Sequence, residues 1–505
     1  MDKGDVWLFY LYIKNELLNK GPFENMYCHK KSSRLFSSVG LTASFFYLFI
    51  FLSGGVISST AAHAIDRGKV HEYRLKNGLK LFVKEDHRAP VVVSQIWYKV
   101  GSSDESGGKT GISHLLEHMM FRGTKKIGPA EFSKIIAMHG GNQNAFTSTD
   151  YTAYYQALPA KHLYISFKLE ADRMQGLLLD PKDFKKELQV VMEERRMRVE
   201  DNPQMLTYER FYAMAHVASP YHHPVIGWMS DINQLNVQDV RQWYRKWYTP
   251  NNARVVVVGD VVPDKVYALA KRYFGGLKPK KLPLAKKRTP LMPLGRREVT
   301  VKRPAKLPLL IMGYNTPSLL SAHARWEPYA LMVLSAVLSG GDSARLPKTL
   351  VRDQQVAKET DAYYSLYNRF DSLFTIQAIP AKNRLMSTLV QAIQQQITIL
   401  QRELVSEEEL NRIKQQVIAD NVFKQDSLLC QAREIGSLET IGLSWRDADD
   451  FVSRISAVTS QQVQAVAKKY LSQDRLSVAT LDPLPMKSGE VVYDGGHLGG
   501  VSSVH

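Results

Sequence analysis

The sequence predicts an α+β fold made of two related αβ domains that arose by duplication. Three observations carry this expectation. The chain has 505 residues, more than one core of ordinary size accommodates. Short β-rich runs alternate with helical stretches through both halves. Residues 231–248 also align without a gap on residues 454–471 at an offset of 223, pairing Ile232 with Ile455, Leu235 with Val458, Val240 with Val463 and Trp247 with Tyr470. Each copy then turns into a strand, 254–258 and 475–480, at the end of its half, where a repeat would place it.

The first 64 residues differ from the rest. Lys30, Lys31 and Arg34 precede an apolar run at 41–52, and a small-residue segment ends at Ala62, His63 and Ala64. That is the order of a secretory signal, with cleavage expected after Ala64 and an exported, periplasmic destination; an uncleaved N-terminal membrane anchor is the alternative. Met26 makes a better start for such a signal, which leaves residues 1–25 as an N-terminal extension. With only Cys28 and Cys430, stability must come from the cores rather than from a disulfide framework.

Beyond the signal, Asn77 and Gly78 stand between apolar runs at 73–75 and 79–83, a two-residue hairpin signal. Residues 91–100 read as a third strand, 111–123 as a helix stopped by Gly123, and 129–139 as a helix closed by Gly140 and Gly141. The Thr-, Tyr- and Phe-rich stretch 143–158 reads as strand. A long helix starts at Asp180 with Pro181 in its first turn, and another occupies 237–248. Residues 277–298 carry Pro279, Pro283, Pro290 and Pro293 among many basic residues. A proline-rich linker explains them with fewer assumptions than a nucleic-acid stripe. The second half includes a helix announced by Ser406 and Glu409 as a capping box. The expected boundaries are therefore a signal and extension at 1–64, a first domain at 65–276, the linker, a second domain at 299–485 and a flexible tail at 486–505.

Composition is that of an ordinary globular chain, 44% hydrophobic and 23% charged. The formal charge of +17 is dispersed outside the linker and no nucleic-acid module is present, so no nucleic-acid partner is expected.

The chemistry concentrates in the helix GISHLLEHMMFRG at 111–123. At about 100° per residue His114, Glu117 and His118 share one side, while Ile112, Leu115, Leu116, Met119 and Met120 fill most of the remainder. Two imidazoles and a carboxylate in one buried slot need a partner, and a metal ion satisfies them. Histidines at i and i+4 suit zinc, with Glu117 between them as the natural base. A chance H-x-x-E-H on a helix is the bland alternative. A third ligand would come from a second helix, where Glu187 and Glu194 lie on one face and Glu193 points about 100° away from Glu194. The second half has no paired histidines, so any metal site belongs to the first.

These residues resemble the pitrilysin/insulinase zinc peptidases, whose inverted H-x-x-E-H motif appears here in GISHLLEHMMFRGT. The resemblance extends through GGNQNAFTSTDYTAYY and ELQVVMEERRM, whose last glutamate, Glu194, lies 76 residues after His118. It implies a mostly antiparallel sheet with helices packed on it in each domain, the pair forming half of a clamshell. It implies one zinc ion held by His114, His118 and Glu194, with Glu117 as general base and Glu187 steadying the site from behind. It also implies that Asn144, Ala145, Phe146 and Thr147 form an edge strand to which a peptide substrate adds. Family members of this size need a second chain of the same fold to supply an Arg and a Tyr seven residues apart. Here Arg352 is present but the position seven on is Glu359, with Tyr363 and Tyr364 out of register. The expected partner is a same-fold chain without the zinc motif, a homodimer being the alternative. The expected activity is a secreted zinc endopeptidase for unfolded peptides, with a peptide-binding or assembly subunit as the rival reading.

Overall fold

The computed structural model describes residues 68–283 and 295–486. The expected signal and extension at 1–64 lie outside the described residues, as do nearly all of the tail and the middle of the linker.

The first half opens with strands β1 (Val70–Arg74), β2 (Lys80–Glu85) and β3 (Val91–Tyr98). Helices α1 (Ile112–Met119) and α2 (Glu131–Met138) follow, then strands β4 (Asn142–Thr147) and β5 (Thr152–Pro159). Helices α3 (Leu163–Gly176), α4 (Pro181–Arg195), α5 (Pro203–Ala215) and α6 (Val237–Trp247) precede β6 (Ala253–Gly259) and α7 (Pro263–Phe274). The second half runs β7 (Arg297–Pro304), β8 (Leu309–Thr316), α8 (Trp326–Ser339), β9 (Ala357–Tyr364) and β10 (Ser372–Pro380). It closes with α9 (Met386–Arg402), α10 (Glu407–Lys424), α11 (Leu428–Ile441), α12 (Ser460–Tyr470) and β11 (Leu476–Leu484).

The strands form two sheets, ordered β1-β2-β6-β3-β5-β4 and β7-β11-β8-β10-β9. Both are mostly antiparallel with helices packed on them, as expected, and each holds one parallel pair, β2 with β6 and β7 with β11. Apart from β1 the two orders superimpose strand for strand. The ladder repeats too: Val256 pairs with Gln95 and Gln95 with Tyr155, while Ala479, 223 residues after Val256, pairs with Ile311 and Ile311 with Gln377. The duplication read from the last helix and strand thus extends through the whole sheet.

Three local expectations are refined. The hairpin loop is longer than two residues: Leu75 and Leu79 close it, and Gly78 takes φ 89°. The reason is Asn77, whose side chain donates to the carbonyls of Phe274 and Leu277 and so belongs to a tertiary contact. The single strand expected at 143–158 is two, β4 and β5, because Asp150 is drawn out of the ladder by Tyr221 and Ser103. The capping box of α10 is half made: Ser406 accepts from the Glu409 N–H, but the Glu409 carboxylate binds Arg345 instead.

The two halves exchange equivalent helices. Helix α5 of the first half covers β7, β8 and β11 of the second sheet, and α11 of the second half covers β3 and β6 of the first. The rings of Phe211 and Trp97 are fully buried in these contacts. Each ring lies against a glycine, Gly313 and Gly436 respectively, whose absent Cβ leaves the space it occupies.

Candidate metal centre

Helix α1 lies with Ile112, Leu115, Leu116 and Met119 in the core, while His114, Glu117 and His118 are half-buried on its other side. Its first residue is held without a conventional side-chain cap. Gly111 sits at φ 84°, and the carboxylate of Glu105 accepts from the N–H groups of Gly111 and Ser113, each at 2.8 Å. Gly111 has to be a glycine twice over, since a Cβ there would stand 2.4 Å from the Ile226 carbonyl oxygen. Helix α4 starts as expected, with Asp180 accepting from the Lys182 N–H at 2.7 Å and Pro181 in the first turn.

These two helices bring together the residues singled out from the sequence. The ligand atoms of His114, His118 and Glu194 all lie within 4.8 Å of one another. Glu194 Oε2 stands 3.3 Å from His118 Nε2 and 3.9 Å from His114 Nε2. Ligand atoms placed tetrahedrally at about 2.0–2.1 Å from zinc stand about 3.3–3.4 Å apart, so two imidazole nitrogens and one carboxylate oxygen converge as zinc ligands do. The donor set fits the ion. On the far side of His118, Nδ1 meets Glu187 Oε2 at 3.2 Å, and Glu187 is itself paired with Arg122. Glu194 is steadied by Arg198 at 2.8 Å. Glu193, as its angular position requires, points away and pairs with Arg196 on the surface.

Electrostatics distinguish the groups. Burial alone pulls His118 down, but hydrogen bonds to Glu187 and Glu194 and the charges around it outweigh that and raise its pKa to about 10. His114, with only the charge of Glu194 opposing its burial, is lowered to about 4. Burial also works to raise Glu194, yet the two imidazoles and Arg198 hold it well below the usual carboxylate range. Glu117 is pushed up by burial, against the charge of His118 and the hydroxyl of Thr147.

Comparison with known proteins places this arrangement. The model of the insulinase family, peptidase family M16, matches residues 80–227, and that of the peptidase M16 inactive domain matches residues 234–417. The zinc protease PqqE of Helicobacter pylori is 34% identical over 361 residues, which cover 70% of this chain and 79% of that one. The chain belongs to peptidase family M16. The crystal structure of a protease from Helicobacter pylori superimposes on it with a TM-score of 0.78 at 30% identity, covering 82% of this chain and 100% of the other. The periplasmic protease PqqL from Escherichia coli shares the fold, with a TM-score of 0.71 at 18% identity over 82% of this chain and 48% of that longer one.

Within this member of family M16 the remaining site candidates divide. Asn144, Ala145, Phe146 and Thr147 lie on β4, the last strand of the first sheet, which packs against α1. Thr147 reaches the cluster, donating to Glu117 Oε2 at 2.5 Å. Arg352 does not join it: it is exposed on the π-helical segment Pro347–Asp353 that leads into β9, the edge of the other sheet. Sequence reasoning missed Arg122, Arg198 and Glu105. Arg198 was within reach, four residues after Glu194 on a helix face. Glu105 carries no such signal, because its partners are backbone N–H groups. In the second half the helix equivalent to α1 is α8, whose WEPYALMVLSAVLS has no metal ligand pair and is almost wholly buried.

Proposed function

We propose that this chain is an exported zinc-dependent endopeptidase acting on extended, unfolded peptides, with a single zinc ion held by His114, His118 and Glu194. The observation that carries the reading is the convergence of those three half-buried side chains, with Glu117 on the same helix as the two histidines. A zinc ion bound there supplies Lewis acidity, bringing the pKa of a water towards neutrality and polarising a peptide carbonyl. Glu117 takes a proton from the attacking water and returns it to the amine that leaves. Because its Oε2 is engaged by Thr147, Oε1 is the oxygen available for that transfer. Strand β4 receives the peptide as an added strand through main-chain hydrogen bonds, which favours extended chains with little regard to sequence. Glu187 orients His118 through Nδ1.

The basic residues, apolar run and Ala62–His63–Ala64 segment at the N-terminus support export, and a fold neighbour, PqqL, is described as periplasmic. Among the described residues no helix is long and apolar enough to cross a membrane. A same-fold partner completes the chamber and provides the Arg/Tyr pair; this chain aligns with only 48% of the longer PqqL chain.

Substitution Glu117→Gln tests the reading in the protein as co-purified with its native companions. The expected result is retained zinc with loss of cleavage of a quenched peptide library, and loss of cleavage in the unaltered protein on chelation. Cleavage that survives either treatment overturns it, and an unchanged biological role in the Gln variant would point to an assembly subunit.

A further inference from the structure

We propose that Thr147 is a positioning residue for the base, its hydroxyl fixing Glu117 in register with the strand on which the peptide is laid. The inference rests on the peptidase reading above. Along β4 the side chains alternate, so Ala145 and Thr147 share one face and Phe146 the other. Ala145 packs into the core that contains α1, while Phe146 turns to the opposite side and meets the Trp97 ring edge-on at 5.3 Å. Thr147, the last residue of the strand, is thereby aimed at α1, and its single hydroxyl proton goes to Glu117 Oε2 at 2.5 Å. A hydrogen bond from a hydroxyl to a carboxylate is short and charge-assisted.

The geometry has two consequences. A half-buried glutamate has three side-chain torsions to settle, and nothing else among the described hydrogen bonds and ion pairs holds the Glu117 carboxylate. The tether also runs to the strand rather than to another residue of the helix. If β4 shifts against α1, the base follows the peptide edge, and the distance between Oε1 and a peptide laid along β4 is preserved. Threonine suits the task because its branched Cβ limits χ1 and presets where the hydroxyl points. An error of about 1 Å in such placement costs about a hundredfold in rate.

The test compares T147V, which keeps the shape and removes the hydroxyl, with T147S, which keeps the hydroxyl. Crystal structures of both zinc-loaded variants are read for the position of the Glu117 carboxylate, and peptide cleavage by each, with companions present, is separated into kcat and KM. In T147V the carboxylate is expected to leave its single position, kcat to fall about tenfold to a hundredfold with KM held within about twofold, and zinc content to stay unchanged. T147S is expected to restore both the position and most of the rate. An unmoved Glu117 in T147V, or a raised KM at constant kcat, overturns the proposal. If the unaltered protein cleaves nothing, the peptidase reading fails by itself, and the position of Glu117 in T147V still decides whether Thr147 anchors it.

Discussion

His118 presents Nε2 to Glu194 while its Nδ1 is tied to Glu187, and Glu187 is tied in turn to Arg122. His114 presents Nε2 to the same oxygen, but its buried Nδ1 has no hydrogen-bond partner among the described residues. The two imidazoles are therefore held unequally, and most of the preorganisation enters through Glu187. Substituting Glu187→Gln keeps the shape and removes the charge that orients His118. Zinc affinity is expected to fall about tenfold to a hundredfold, measured by competition with a chelating dye, with the fold unchanged by circular dichroism. Affinity equal to that of the unaltered protein would assign Glu187 no part in holding the site. This is also the scale at which the sequence was most informative. Ligand chemistry is written in spacing: i, i+4 for the histidines and i, i+7 for the two glutamates put each pair on one helix face. Arg122 was not legible, because its partner is on another helix 65 positions away and no local period connects them.

At the scale of elements, the contact that unites the halves is an exchange of equivalent helices, α5 onto the second sheet and α11 onto the first. None of this was read from the sequence, although the helices and strands involved largely were. Helical periodicity says which face of α11 is apolar, but not which of two similar sheets that face will cover. What specifies the choice is shape. The Trp97 ring on β3 fills the place beside Gly436, where an added Cβ would stand 2.2 Å from the indole atoms. Trp97 is also pinned by a hydrogen bond from its Nε1 to Gln95 at 2.9 Å and by edge contacts with Phe146 and Tyr151, so it has little freedom to yield. G436A is accordingly expected to destabilise the protein by about 1–3 kcal/mol through overpacking, despite the higher helix propensity of alanine. Thermal unfolding gives the measurement. A melting temperature equal to or above that of the unaltered protein would show that the helix can lift off the sheet without cost.

For the whole molecule, duplication has left the candidate ligand cluster in one half and a largely buried helix at the equivalent place in the other. Helix α8, which follows the strand equivalent to β3, buries Ala330, Leu331, Val333 and Leu334 completely. Among the described residues no second-half side chain joins the ligand cluster, and the candidate contribution of that half, Arg352, stands exposed at the edge of the other sheet. Tyr364 does not supply the missing companion. It is buried and spends its hydroxyl on the Pro317 carbonyl at 2.5 Å, and the position seven beyond Arg352 is occupied by Glu359. On the proposed reading the chain supplies the zinc ligands and the base, while the arginine–tyrosine pair that the resemblance implies is interrupted here by Glu359. It follows that the purified chain alone should bind zinc with full affinity yet cleave peptides slowly. Addition of a same-fold chain carrying Arg and Tyr seven residues apart should raise kcat by tenfold or more, and co-sedimentation should show the two together. If the chain alone sediments as a monomer and cleaves at the rate of the mixture, the site is complete in one chain and the partner has no catalytic part. If it is active only as its own dimer, the second copy contributes Arg352, and R352A should then depress kcat when it is present in either copy.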